Sequence, residues 1–323
     1  MKSSLDARVE CCNRLSPTAV RAKRQKTLVG LLFASPWIIG FLLFSLYPIC
    51  TSFYYSFTEF NLFTSPQWVG MDNFTELFND EKFYKSLYNT LYMVIFATPA
   101  SIVFSLLLAV LLNQSVKGMS VYRTLFYLPS IVPTVATSLL WLWILNPRTG
   151  LINSCLRMIG LPQPNWLMDL NWTKPSLILI AMWSVGSMMV IFLAALQDVP
   201  RSLHEAADLD GAGPIRKFFS ITLPCISPVI FFQLIMNIIY YFQYFTQAYL
   251  IISGSSSGSG LNGASGGVEN SMLFYSIYLF HNAFYFFKMG KASAMAWILF
   301  VIVMIVTWLL FRTQSRWVSY GDE

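Results

Sequence analysis

Two groups of residues in this chain have types and spacings suited to specific work. The first is the polar segment Asp198–Pro228, reading DVPRSLHEAADLDGAGPIRKFFSITLPCISP. Asp198 is placed as a helix cap, with Pro200 in the first turn that follows. That helix runs through His204, Glu205, Ala206 and Ala207 and ends near Gly211, a residue suited to a left-handed terminal position. Pro214 starts a second helix, whose Ile215, Phe218, Phe219 and Thr222 fall at helical spacing, and Pro224 and Pro228 end it. A plain connection between packed helices needs only a few residues. A structured helix–Gly–helix here therefore reads as a docking surface. Ala206 and Ala207 remove bulk so that another backbone can approach, and Glu205 and Asp210 supply charge.

The second group lies inside an apolar run. Asn237, Tyr241 and Tyr244 recur at i, i+4 and i+7, with Tyr240 and Gln247 beside them. Trp183, Ser184 and Ser187 form a shorter set of the same kind in an earlier run. Amide, hydroxyl and phenol groups are costly within a membrane unless they face protein or a wet cavity. A sugar wants that mixture, because its hydroxyls pair with amides and phenols while its C–H faces pack on aromatic rings. The other reading of the same residues is a helix–helix contact held by hydrogen bonds.

Covalent chemistry has little to stand on. The chain has two histidines, His204 and His281, neither with a second His or a Cys at ligand spacing; both read as helix-surface side chains. The cysteines Cys11, Cys12, Cys50, Cys155 and Cys225 form neither a metal pattern nor a disulfide framework. There is no G-x-x-x-x-G-K-[ST] run, so the chain is not itself a P-loop ATPase. It reads as a non-enzyme without a metal site.

The elements that must position these groups follow from composition. Of 323 residues, 56% are hydrophobic and 11% charged, and mean hydropathy is +0.57. A water-facing surface cannot be covered with so few charges, since soluble domains carry about a quarter. Apolar runs of about 20 residues, the length of a membrane span, occur at Leu28–Thr51, Leu87–Leu112, Leu125–Leu145, Ser176–Gln197, Ile226–Ile252 and Ala292–Phe311. The expected fold is an all-α membrane protein with six transmembrane helices, the third kinked by Pro129 and Pro133. By these boundaries the spans contain no Asp, Glu, Lys or Arg, which argues against an ion-coupled carrier.

An even span count puts both termini on one side. That side holds Lys2, Arg8, Arg14, Arg21, Lys23, Arg24 and Lys26 in the leader, and Lys117, Arg123, Arg201, Arg216, Lys217, Arg312 and Arg316 elsewhere. The opposite side holds half as many. Both termini are therefore expected in the cytoplasm, and the net charge of +6 is explained by topology rather than by nucleic acid. Residues 1–27 form a basic cytoplasmic segment, 28–311 the six-span region, and 312–323 a cytoplasmic tail. Within the six-span region, 198–224 is a cytoplasmic loop. On the outer side, Met272–Phe287 is an amphipathic aromatic stretch, and 253–267, rich in Gly and Ser, is expected to be a flexible loop.

With these residues in hand, EAADLDGAG followed by FFSITLP resembles the EAA loop of permease subunits in bacterial ATP-binding-cassette importers. The matching positions are Glu205, Ala206, Ala207, Asp210, Gly211 and Ala212, then Ile221, Leu223 and Pro224. LLFASPWIIGFLLFSLYPI, VGMDNFTELF, YRTLFYLPSIVP, LNPRTGLIN, AALQDVP and FKMGKASAMAWILF are similar to the carbohydrate-uptake branch, MalF/UgpA-like, from about residue 22 onward. The outer loop departs from that branch, reading ISGSSSGSGLNGASGG without proline where GGGP is usual. The resemblance implies the type I importer permease (MetI-like) fold in the bacterial cell membrane. It implies one half of a heterodimeric sugar pathway, with a second permease subunit, two ATPase subunits and an extracytoplasmic sugar-binding protein as partners. ATP and Mg would be bound by the partner ATPase, and the EAA loop would couple that ATPase to the spans. Asn237, Tyr241 and Tyr244 align with the family's sugar contacts.

Overall fold

The computed structural model describes residues 17–255 and 266–319. The leader before Pro17, including Cys11 and Cys12, and most of the Gly/Ser-rich loop lie outside the described residues. The chain divides into two compact units, residues up to Tyr55 and residues from Ser56 onward.

The described part of the first unit is one continuous helix. α1 (Pro17–Phe41) passes through a π-helical turn at Leu42–Leu46 into Tyr47–Ser56. The helix is unbroken to Ser56 and so runs somewhat past the expected end at Thr51. Leu32, Phe33, Trp37 and Phe44 are exposed around it, which suits a helix surrounded by apolar neighbours rather than water.

The second unit opens with a two-residue hairpin, β1 (Thr58–Glu59) antiparallel to β2 (Gln67–Trp68), and a short helix α2 (Asp72–Phe78). α3 (Glu81–Leu112) is the central post. Asp80 caps it by accepting the Lys82 N–H at 2.9 Å, and the helix continues across Pro99. At about 1.5 Å per residue it reaches from one face of a membrane to the other. α4 (Met119–Ile131) and α5 (Thr134–Ile144) follow, then α6 (Leu151–Met158), α7 (Thr173–Trp183) and α8 (Gly186–Gln197). The 201–217 segment holds α9 (Arg201–Leu209) and α10 (Pro214–Lys217), and after it come α11 (Ser227–Phe242) and α12 (Thr246–Ser255). α13 (Tyr275–Phe280) and α14 (Met289–Gln314) complete the unit.

α3, α14, the first unit's helix and the pair α11–α12 are each long and apolar enough to cross a membrane. The other two crossings are broken. α4 and α5 meet at 98° and α7 and α8 at 53°, so six spans result when each bent pair counts as one. The first break is sharper than a kink: the chain leaves helical geometry at Val132 and Pro133 (ψ of 130° and 138°). The second, at Ser184–Val185, has no proline to announce it. α14 begins at Met289, earlier than expected, and so brings Lys291 into its first turn.

Side chains pack around α3 in two groups. Toward its start, Phe83 and Met93 meet Met272, Phe274 and Tyr275; toward its end, Ile102, Ala109 and Leu112 meet Met189, Phe192 and Ile226. Because α3 is one continuous helix through both groups, the 272–278 stretch and the 192–226 stretch occupy opposite ends of the bundle.

The first end is tied by charge. Lys291 donates to Asp80 at 2.9 Å and Glu76 at 3.1 Å, Lys288 donates to Glu76 at 3.1 Å, and the Tyr278 hydroxyl donates to Asp80. Burial alone would raise the Asp80 carboxyl, but the Tyr278 hydroxyl and Lys291 hold it below its ordinary value. His281, expected on a helix surface, is instead buried in a π-helical turn with its ring edge-on to Tyr285. Burial, with the nearby Lys82 charge, pushes its imidazole below the usual range and favours the neutral form.

Candidate functional site

At the other end of the bundle, the 201–217 segment folds as a helix, a left-handed glycine and a second short helix. α9 (Arg201–Leu209) starts immediately after Pro200, whose extended ψ of 129° places it before the helix rather than within it. Asp198 does not cap α9; it closes α8, its N–H bonding to the Ala194 carbonyl. Gly211 has φ of +71°, and the ends of α9 are satisfied around it. The Ala212 N–H reaches the Ala207 carbonyl at 2.9 Å and the Gly211 N–H reaches that of Asp208 at 3.1 Å, the paired bonds of a Schellman closure. α10 (Pro214–Lys217) follows, and Lys217 pairs with Asp208 across the turn.

This closure fixes what the segment presents. Ala207 turns inward, while Glu205, Ala206, Asp210 and Gly211 are exposed and Ala212 is half-buried. Leu209, Ile215 and Phe219 are exposed beside them, Leu209 at 92%. The result is a short arch with apolar residues at its crown. After α10 the chain runs through a π-helical turn at Phe218–Thr222 and Leu223–Cys225 directly into α11, so the arch is joined to a span with no slack loop between.

Inside the bundle, α3, α4, α7, α8, α11 and α12 together leave a cleft of about 440 Å³, within the usual ~300–1,000 Å³ of small-molecule sites. Ser184, Ser187, Asn237, Tyr240, Tyr241 and Gln247 all line it. Ser184 reaches it because α7 ends there, and Ser187 because α8 starts there, so the 53° break serves to turn these hydroxyls toward the cavity. Asn237 donates to the Gln233 carbonyl one turn back at 2.9 Å, and the Tyr241 hydroxyl shares a 2.9 Å bond with Ser101.

Two of the residues read from the sequence are elsewhere. Tyr244 does not line the cleft: α11 ends at Phe242, so the helical face carrying Asn237 and Tyr241 stops before reaching it. Its hydroxyl donates to Gln247 Oε1 at 2.8 Å and its ring meets Phe274 edge-on, which makes it a buried support for Gln247. Trp183 lies outside the cleft, half exposed, with its ring edge-on to Trp141.

Three further polar residues line the cleft that the sequence reading does not name. Gln233 precedes Asn237 by one helical turn, so the spacing that marks Asn237 and Tyr241 also reaches it. It is 5% exposed, and its Nε2 has no hydrogen-bond partner. Ser101 on α3 and Ser130 on α4 come from separate helices, and no local pattern singles them out. No Asp, Glu, Lys or Arg lines the cleft. Among the described residues, no group of three or more His, Cys, Asp and Glu is placed to hold a metal.

The broken spans around α3, the arch at one end and the polar cleft define a helical membrane permease. The chain belongs to the family described as binding-protein-dependent transport system inner membrane component, whose model matches residues 78–318. It is 45% identical over 306 residues to the probable ABC transporter permease protein YesP of Bacillus subtilis (strain 168), covering 94% of this chain and 96% of that one. It is 32% identical over 287 residues to the sn-glycerol-3-phosphate transport system permease protein UgpA of Pectobacterium atrosepticum, covering 88% and 93%. Its fold is similar to a chain of the bacterial alginate ABC transporter crystallised with an alginate pentasaccharide-bound periplasmic protein. There the TM-score is 0.76 and the identity 24%, over 93% of this chain and 98% of that one.

Proposed function

We propose that this chain is the permease subunit of an ATP-driven importer of sugars, oligosaccharides or sugar derivatives. It forms half of the translocation pathway, beside a second permease subunit. The observation that carries this reading is the uncharged cleft of Ser184, Ser187, Asn237, Tyr240, Tyr241 and Gln247, with the unpaired amide of Gln233 in its wall. A sugar hydroxyl placed there would satisfy that donor, and leaving such a group unpaired costs about 1–3 kcal/mol. An anionic substrate such as sn-glycerol-3-phosphate would call for a lysine or arginine, and this wall has none.

In this reading both termini are cytoplasmic and the arch faces the cytoplasm. Glu205, Ala206, Ala207, Asp210, Gly211 and Ala212 seat it in one of two ATPase subunits, which bind the ATP and Mg. An extracytoplasmic binding protein delivers the sugar at the Asp80–Lys291 end. ATPase closure pushes the arch, and the unbroken link from α10 into α11 carries the movement to Asn237 and Tyr241. The chain itself makes and breaks no bonds.

The test is purification of the tagged chain from membranes. The reading expects a second permease and an ATPase to come with it, and ATP hydrolysis to rise with sugar-loaded binding protein. A chain that transports sugar with no ATPase bound would refute it.

A further inference from the structure

Lys174 stands in the first turn of α7 with its ammonium 4.3 Å from the centre of the Tyr88 ring and 4.9 Å from that of Tyr92. Both rings belong to α3, where Lys85, Tyr88 and Tyr92 share one face at i, i+3 and i+7. Packing of α7 on α3 therefore sets Lys174 over rings one and two turns from Lys85 on the same face, and the charge of Lys85 bears on it. Like charges so placed repel unless an anion joins them.

No carboxylate of the chain plays that part among the described residues. The ion pairs there join Lys217 to Asp208, Lys288 to Glu76, and Lys291 to Glu76 and Asp80. Glu81, one turn before Lys85, is in none of them, and Asp169, ahead of α7, accepts the Asn171 N–H at 2.8 Å. The tyrosine rings attract the Lys174 ammonium through their faces, but they are not acceptors for all three of its N–H groups.

Depth narrows the choice of anion. Lys85 stands just before the apolar run that starts at Leu87, and Lys174 just before the one at Ser176, so both sit at the same border of the apolar belt. That border is where headgroups lie and where tyrosine is favoured. Below it, the face of α3 continues as an exposed apolar stripe through Tyr88, Ile95, Phe96 and Val103, each more than half exposed. Free phosphate has no use for such a stripe; acyl chains do.

We propose that Lys85 and Lys174, framed by Tyr88 and Tyr92 where α3 meets α7, bind the phosphate of an anionic phospholipid whose chains lie along the α3 stripe. The site is separate from the transport cleft and binds a component of the bilayer, not cargo. It places a lipid on the helix around which both halves of the bundle pack.

The test uses the assembled complex containing the full chain, stripped of lipid in detergent and titrated with phosphatidylglycerol, phosphatidylcholine or inorganic phosphate. Lipid retention is read by native mass spectrometry and stability by thermal midpoint. Phosphatidylglycerol should be retained and should raise the midpoint, and the other two should not. Lys85→Gln, which disturbs neither ring contact, should weaken retention about fivefold, as should Lys174→Ala. Lys174→Arg should keep it, and Lys82→Gln, outside the pair, should leave it unchanged. Equal response to the two lipids, or a phosphate effect as large as that of the lipid, would overturn the proposal. So would Lys85→Gln retaining phosphatidylglycerol at the wild-type level. If Lys174 only fastens α7 to α3, Lys174→Ala will lower the midpoint equally with and without lipid, and that too refutes the site.

Discussion

Replacing Lys291 with methionine deletes one charge from the cluster that ties α14 to the start of α3 while keeping most of the stem. The Lys291 side chain is 6% exposed, against 18% for Asp80 and 50% for Glu76. The loss on the Glu76 side is small, because Glu76 is half in solvent and keeps Lys288; exposed pairs are worth about 0–1 kcal/mol. The loss on the Asp80 side is larger. Breaking a buried pair costs about 3–5 kcal/mol when the survivor is stranded, but Asp80 keeps the Tyr278 hydroxyl and the Lys82 N–H. A destabilisation of about 2 kcal/mol follows, with a coupling to Asp80→Asn of about 1–2 kcal/mol in a double-mutant cycle. The assay is thermal or denaturant unfolding of the purified complex, followed by tryptophan fluorescence. The same cluster sets a pH dependence. Since the folded Asp80 carboxyl is held below its ordinary value, its contribution is complete above about pH 3.9 and is lost as pH falls through the lowered folded value. Lys291→Met should shrink that acid loss. Strictly additive single variants, or an acid limb unchanged by Lys291→Met, would refute the clamp.

The arch and the cleft give further expectations. Gly211→Val forces a β-branched residue to a φ of +71° and breaks the closure of α9. Like the charge reversal Glu205→Lys, it should release or uncouple the ATPase with membrane insertion intact, and wild-type transport by both variants would exclude the docking role. A Cβ at Gly186 would lie 2.6 Å from the Phe126 carbonyl oxygen and 2.9 Å from Tyr127 Cα. Gly186→Ala should therefore push α8 off α4 at the cleft wall, costing about 1–3 kcal/mol and slowing uptake; normal stability and uptake would show that the helices have slack there.

Much of this fold is legible in the sequence, because spans are set by the length of apolar runs and the arch by local rules at Gly211 and Pro214. What was not legible depends on neighbours distant in sequence. Pro129 and Pro133 announce a disturbance but not a 98° turn. The break at Ser184–Val185 arises where Gly186 meets the α4 backbone, a contact no window of sequence contains. Tyr244 was misplaced by extending a helical face past the true end of α11, while Gln233 lay one turn from Asn237 and was open to the same reasoning. Ser101 and Ser130 join the cleft only by packing. His281 looked solvent-facing because its own segment is amphipathic; the elements packed around it bury it.

A sugar path through the cleft around Asn237 can be tested at that residue. Asn237→Ala keeps the helix and removes an amide, whose hydrogen bond is worth about 0.5–1.5 kcal/mol, up to about tenfold in affinity. Sugar uptake per assembled complex, measured with the thermal stability of the same preparation, tests it directly. If Asn237 meets the sugar, apparent affinity falls several-fold in complexes of normal stability. Unchanged uptake in complexes that assemble poorly or unfold early would contradict it, and would make Asn237 a hydrogen-bonded joint between helices.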